Sequence, residues 1–187
     1  MIHPPQTSLA LLFPELDPVV GRFRSLYDPS AGHGFPPHVT ILWPFMPPDA
    51  ISDETLQQLE VFFRGFSTFD LQFSRKGFSS RTLFLAPEPP EPIITLINAI
   101  TRLYPDYPPY NKPEWDPLPH LTVAYGMGSE DLRSIADRFD REAAPSLPVS
   151  TTVSRVWLLD YRGDGWKRRR AFDLGPNRSA HHPPAIG

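Results

Sequence analysis

Proline constrains this chain more than any other residue. It fills 25 of 187 positions, roughly 13% against an average near 5%. Proline lacks a backbone N–H and fixes φ, so it breaks helix interiors and central strands. Prolines are therefore expected in connections. The clusters Pro36-Pro37, Pro47-Pro48, Pro87 to Pro92, Pro105 to Pro119 and Pro183-Pro184 read as stiff loops between regular elements. With 40% hydrophobic and 21% charged residues, the whole chain has the composition of a soluble globular protein. No cysteine is present. That excludes a disulfide scaffold, a thiol nucleophile, an iron–sulfur cluster and cysteine-ligated zinc. The apolar stretch Leu9 to Phe13 is too short to span a bilayer and lacks the flanks of a signal peptide, so a cytoplasmic location is expected.

Periodicity and capping place the elements. Strands are predicted over 8–13, 38–45, 68–73, 82–86 and 120–125, and a closing hairpin over 150–161 and 166–174 around Arg162-Gly163-Asp164-Gly165. Helices are predicted from Asp17 to about Tyr27, Ser52 to about Gly65, Glu91 to Leu103, and Ser129 to about Ala143. The two halves repeat a similar layout. The expected fold is α+β, an internal duplication with two antiparallel sheets flanked by helices. Residues 1–178 would form one bilobal domain, and 179–187 a loose tail.

Two short segments carry the chemistry: His38-Val39-Thr40-Ile41-Leu42 and His120-Leu121-Thr122-Val123-Ala124. Each follows a proline and opens a predicted strand after a long loop. Residues two apart on a strand share a face. His38 and Thr40 therefore point one way, as do His120 and Thr122, while Val39, Ile41, Leu121 and Val123 point into apolar cores. A lone strand histidine is usually structural. Two matched copies in matched halves point to a shared catalytic site. One neutral imidazole takes a proton from a nucleophile, and a protonated one gives a proton to the leaving oxygen. Threonine hydroxyls and imidazolium N–H groups supply donors to a phosphate. Two histidines without clustered carboxylates make a poor metal site.

This duplicated His-apolar-Thr-apolar pattern resembles the 2H phosphoesterase superfamily, which includes the 2′-5′ RNA ligase-like and RNA 2′,3′-cyclic phosphodiesterase proteins. Pro36 to Phe45, Thr82 to Pro89, Leu118 to Gly126 and the closing stretch Gly165-Trp166 to Leu174-Gly175 share the resemblance, which spans about residues 8–175. It implies two pseudo-symmetric lobes around a central cleft, with His38 and Thr40 on one wall and His120 and Thr122 on the other. It also implies phosphodiester chemistry without metal or other cofactor, commonly the opening of a 2′,3′-cyclic phosphate. The implied partners are RNA 3′ ends or small nucleotides, with no membrane and no protein partner, and the chain is expected to act as a monomer. Which histidine is the base depends on the direction of reaction. Many members carry an arginine after the second motif where this chain has Tyr125. Strand parity puts Tyr125 toward the core; the other reading is a nucleotide contact. RNA end joining through a 2′-5′ bond, hydrolysis of 2′-5′-linked or cyclic signalling nucleotides, and a non-catalytic RNA- or nucleotide-binding module are the rival functions.

The net charge of −3 argues against a general nucleic-acid coat, but its spread is uneven. Between Arg155 and Arg178 lie seven basic residues and three acids. Such a strip either attracts a phosphate ligand or is simply a solvated hairpin. Parity groups Trp166, Arg168, Arg170 and Phe172 on one side and Lys167 and Arg169 on the other. His33 reads as a loop histidine and His181-His182 as a tail pair. Trp43, Trp115, Trp157 and Trp166 read as core or loop anchors, with base stacking as the alternative.

Overall fold

The computed structural model describes residues 5–112, 114 and 116–176. Trp115 and the tail with His181-His182 lie outside the described residues. In chain order the elements are β1 (Gln6–Leu12), α1 (Asp17–Tyr27), α2 (Pro29–Gly32), β2 (His38–Leu42), α3 (Asp53–Arg64), β3 (Phe69–Ser79), β4 (Thr82–Glu88), α4 (Glu91–Leu103), β5 (Leu121–Tyr125), α5 (Ser129–Glu142), β6 (Val149–Val153), β7 (Arg155–Tyr161) and β8 (Trp166–Asp173). Local chemistry sets several bounds. The Ser52 hydroxyl caps α3 by accepting from the Thr55 amide at 3.2 Å. Gly163 and Gly165 take positive φ in the β7–β8 turn, where a side chain would be strained. Pro87 departs from the loop expectation and sits in β4. It lies beyond Leu85, the last residue of β4 paired with β5, so its missing N–H costs no bond on that side.

The strands form one eight-stranded sheet in the order β6-β3-β4-β5-β2-β1-β7-β8, with every neighbouring pair antiparallel. This corrects the expectation of two separate sheets. The four-strand halves meet at β2 and β5 through the pair Val39↔Leu121. The predicted strand over 150–161 is also corrected. It is two strands, β6 and β7, paired in different halves of the sheet and separated by Ser154 alone. Six strand spacings would put β6 and β7 roughly 29 Å apart in a flat sheet. Two Cα–Cα links span only about 7.6 Å. The sheet must therefore curl until its ends approach, and backbone bonds seal the closure. Leu174 N donates to Ser154 O at 2.8 Å, Thr68 N to Gly175 O at 2.8 Å, and Gly175 N to Phe66 O at 2.7 Å. A Cβ on Gly175 would lie 2.6 Å from Arg64 O, so the closure needs glycine there.

The long helices pack on one face of this curled sheet. Val20 and Phe23 of α1, Leu59 and Phe63 of α3, Ile93, Ile97 and Ile100 of α4, and Phe139 of α5 join Leu9, Leu11, Val39, Ile41, Leu121, Val123 and Phe172 in the main core. Each such side chain contributes about 1.5–3 kcal/mol on burial. The opposite face carries a smaller cluster of Ala10, Phe35 and Leu159, against which Leu12, Trp157 and Trp166 pack. That face holds the motif residues.

Candidate active site

His38 opens β2, and His120 immediately precedes β5. Their strands run antiparallel through Val39↔Leu121. One residue to either side, this register sets His38 across from Thr122 and Thr40 across from His120. Directly opposed residues stand about 4.5–5.5 Å apart. Val39 and Leu121 are fully buried toward the helices, whereas the four motif side chains are half-buried on the other face.

The two rings are held alike. His38 Nδ1 bonds Pro36 O at 2.8 Å, and His120 Nδ1 bonds Leu118 O at 2.8 Å. A carbonyl only accepts, so each neutral ring keeps its proton on Nδ1 and leaves Nε2 able to accept one. The proline between each carbonyl and histidine holds the preceding residue extended. Their surroundings differ. The Phe35 ring stacks on His38, with centroids 3.7 Å apart and planes at 20°. Burial, and then the Arg24 charge, push His38 down to about 3. Burial also lowers His120, which has the Phe84 ring at 5.5 Å. Arg24 is itself buried. It pairs with Asp28 at 3.0 Å and donates to Phe35 O at 2.9 Å, which ties α2 and the Phe35 loop to α1.

Tyr125 is not core: it is 52% exposed. A β-bulge explains why parity failed. Leu83 pairs with Ala124 and Phe84 with Thr122, so Val123 is an extra residue, and Tyr125 rejoins the face of Thr122. The other half repeats the device. Leu9 pairs with Leu42 and Ala10 with Thr40, so Ile41 is extra, both Ile41 and Leu42 are buried, and Trp43 follows on the Thr40 side. The identical spacing, five residues after each histidine, was a usable sequence signal. Tyr110 had none. It comes from the proline-rich loop in a left-handed conformation (φ 54°), takes Trp43 O at 2.6 Å through its amide, and places its ring 5.8 Å from Trp43. Its hydroxyl is hydrogen-bonded to Thr40. Burial holds the phenol above its ordinary range, and the Thr40 bond opposes this.

The basic strip is largely consumed in structure. Arg155 pairs with Asp173, Arg162 with Asp49, Lys167 with Asp164, and Arg170 with Glu60, while Arg169 donates to Pro48 O and Ile51 O. A third bulge, at Arg169, overturns the expected grouping: Leu158 pairs with Arg170 but Leu159 with Arg168. Trp166 and Arg168 therefore lie on the motif face, whereas Phe172 stacks on Phe63 among the helices. Arg168 rests over the Trp157 ring at 5.3 Å. His33 packs its ring against Tyr161 at 5.7 Å. Among the described residues no group of three or more His, Asp or Glu is placed to hold a metal ion, and no helix is long and apolar enough to cross a membrane.

Comparison with known proteins agrees with this architecture. Residues 12–165 match the family described as the 2′-5′ RNA ligase superfamily. A Bacillus pumilus (strain SAFR-032) protein named "Putative phosphoesterase" is 31% identical over 173 residues, covering 88% of this chain and 95% of the relative. E. coli LigT complexed with 3′-AMP shares the fold with a TM-score of 0.58 and 20% identity, over 92% of this chain and 99% of LigT. TT0787 of Thermus thermophilus does so with a TM-score of 0.57 and 16% identity, over 92% and 100%. Sequence match and shared fold together show that the chain belongs to the 2′-5′ RNA ligase superfamily, the 2H phosphoesterases.

Proposed function

We propose that this protein is a metal-independent phosphodiesterase that opens a 2′,3′-cyclic phosphate on a nucleotide or RNA 3′ end. One observation carries the reading. Two histidines with the same Nδ1 restraint, each beside a threonine of the partner strand, face one side of a single antiparallel seam. The phosphate would lie between them, its non-bridging oxygens accepting from the Thr40 and Thr122 hydroxyls.

The unequal surroundings divide the work. His38, held neutral by burial and Arg24, is the general base, and its Nε2 takes a proton from water. The water oxygen attacks phosphorus, and one ring P–O bond breaks. The departing ribose oxygen takes a proton from Nε2 of His120, the general acid. The sum is one water added and one proton moved from His120 to His38, restored by exchange with solvent. The bound phosphate anion raises both imidazole pKa values toward their working range. Tyr125 and Trp43 flank the phosphate site as nucleoside contacts, and Tyr110 positions Thr40. The 3′-AMP in the LigT structure supports a ribose phosphate as the ligand class.

The test is hydrolysis of nucleoside 2′,3′-cyclic monophosphates, and of an RNA oligomer ending in one, with EDTA present. Turnover that survives EDTA and falls by about 10²–10⁴ in His120→Ala and His38→Ala supports the reading. Full activity in either variant, or none in the wild type, overturns it.

A further inference from the structure

A cavity of about 280 Å³, lined by neighbours of His38 but not by the histidine itself, is walled by Leu12, Glu15, Pro36, Ser154, Trp157 and Arg168 among others. Two of these flank the histidine directly. Leu12 is its cross-strand partner, and Pro36 supplies the carbonyl that holds its Nδ1. Trp157 shares a row with the motif, since Ala10 pairs with both Thr40 and Trp157. Two strand spacings put its backbone about 10 Å from that of Thr40. Ala10, the residue between, is fully buried in the small cluster with Phe35 and Leu159, so that cluster separates the phosphate site from the indole shelf.

Arg168 adds charge to this shelf. Its guanidinium lies 5.3 Å from the Trp157 ring centre. Among the described residues it makes no ion pair, whereas Arg155, Arg162, Lys167 and Arg170 each have a carboxylate. A guanidinium stacked on an indole presents a planar cation to a base and spare donors to a phosphate. The volume sits at the small end of ligand pockets. It fits one base with part of its ribose.

From this juxtaposition we propose that Trp157 and Arg168 form a second nucleoside subsite, so that the preferred substrate is a dinucleotide or longer RNA 3′ end rather than a mononucleotide. The inference rests on the phosphate lying between His38 and His120. The terminal nucleoside lies over the β2–β5 seam, and the next one reaches the Trp157 shelf.

The test compares, by isothermal titration, adenosine 3′-monophosphate with the diadenosine dinucleotide carrying a 3′-phosphate. Both are inert, product-like ligands, so the result does not depend on turnover. The wild type should bind the dinucleotide at least about tenfold more tightly, within the range of one stacked base. Trp157→Ala should cut that advantage below about twofold, and Arg168→Ala, an exposed position, by at least about threefold. Trp157→Phe, which keeps a ring, should retain most of it. Equal binding of the two ligands by the wild type overturns the proposal, as does an advantage that survives both Trp157→Ala and Arg168→Ala. Equal loss of mononucleotide affinity in Trp157→Ala also overturns it, because it puts the terminal base on the shelf. A Trp157-dependent advantage without cyclic phosphate hydrolysis keeps the subsite and removes only the assigned reaction.

Discussion

Phe35→Leu isolates the cause of the low His38 pKa. Phe35 is 5% exposed and covers one face of the imidazole at 3.7 Å. Leucine keeps an apolar side chain in the small cluster with Ala10 and Leu159 but removes the planar lid. The stability cost should be about 1–2 kcal/mol, a trimmed side chain in a small cluster, against the roughly 5–15 kcal/mol typical of a domain. The fold should therefore survive. Burial is the largest cause of the depression to about 3, ahead of the Arg24 charge. Uncovering one ring face should raise the proton-uptake midpoint by at least about one unit, or about 1.4 kcal/mol of desolvation removed. The assay is a histidine Cε1–H NMR titration from pH 3 to 8, with His38→Gln identifying the resonance. A His38 midpoint that stays near 3 with leucine in place would refute the reasoning and leave Arg24 as the controlling group.

Other expectations follow from the same geometry. Thr40→Val and Thr122→Val should each lower kcat/KM about 10- to 100-fold on a cyclic phosphate, the loss of one hydrogen bond to a charged group, with unfolding midpoints little changed. Arg24→Met should cost about 3–5 kcal/mol in urea unfolding, because it strands the buried Asp28 carboxylate; Arg24→Met with Asp28→Asn should recover part of that loss. The unfolded chain protonates His38 near 6.5, but the folded one does so only near 3. Below pH 6.5 the unfolded state therefore binds more protons, and stability falls toward pH 3 by up to about 1.4 kcal/mol per unit. His38→Gln should flatten that slope in urea melts at successive pH values.

The shared face of the motif histidines and threonines was legible because a residue two along a regular strand keeps its face, and His38-x-Thr40 and His120-x-Thr122 both lie before their bulges. Tyr125 was misplaced because Val123 is inserted, and Arg168 was grouped with Arg170 because Arg169 is inserted. Each insertion shifts every later side chain to the other face, and a bulge that pairs with distant β4 or β7 leaves no local mark. The four long helices were read to within a few residues, since their apolar periodicity is local, but Asp17 is the first residue of α1 and not its cap, and the short α2 was read as loop. The one-residue switch at Ser154 was missed for the opposite reason: Val149 to Tyr161 reads as one strand, and only pairing with β3 on one side and β1 on the other divides it. Tyr110 reaches Thr40 through a left-handed turn that tertiary contacts alone select.

The placement of β1 also governs how this protein is made. β1 sits between β2 and β7, with Gln6 against Tyr161 and Leu9 against Leu158, residues from nearly opposite ends of the chain. Such pairings give a high contact order and slow folding. During synthesis both histidines emerge long before β7 does. Until β7 follows, β1 presents an open row of N–H and C=O groups that any extended chain can pair with. A fragment ending before Arg155 holds all four motif residues but lacks the strand that covers β1, the outer neighbour of β2.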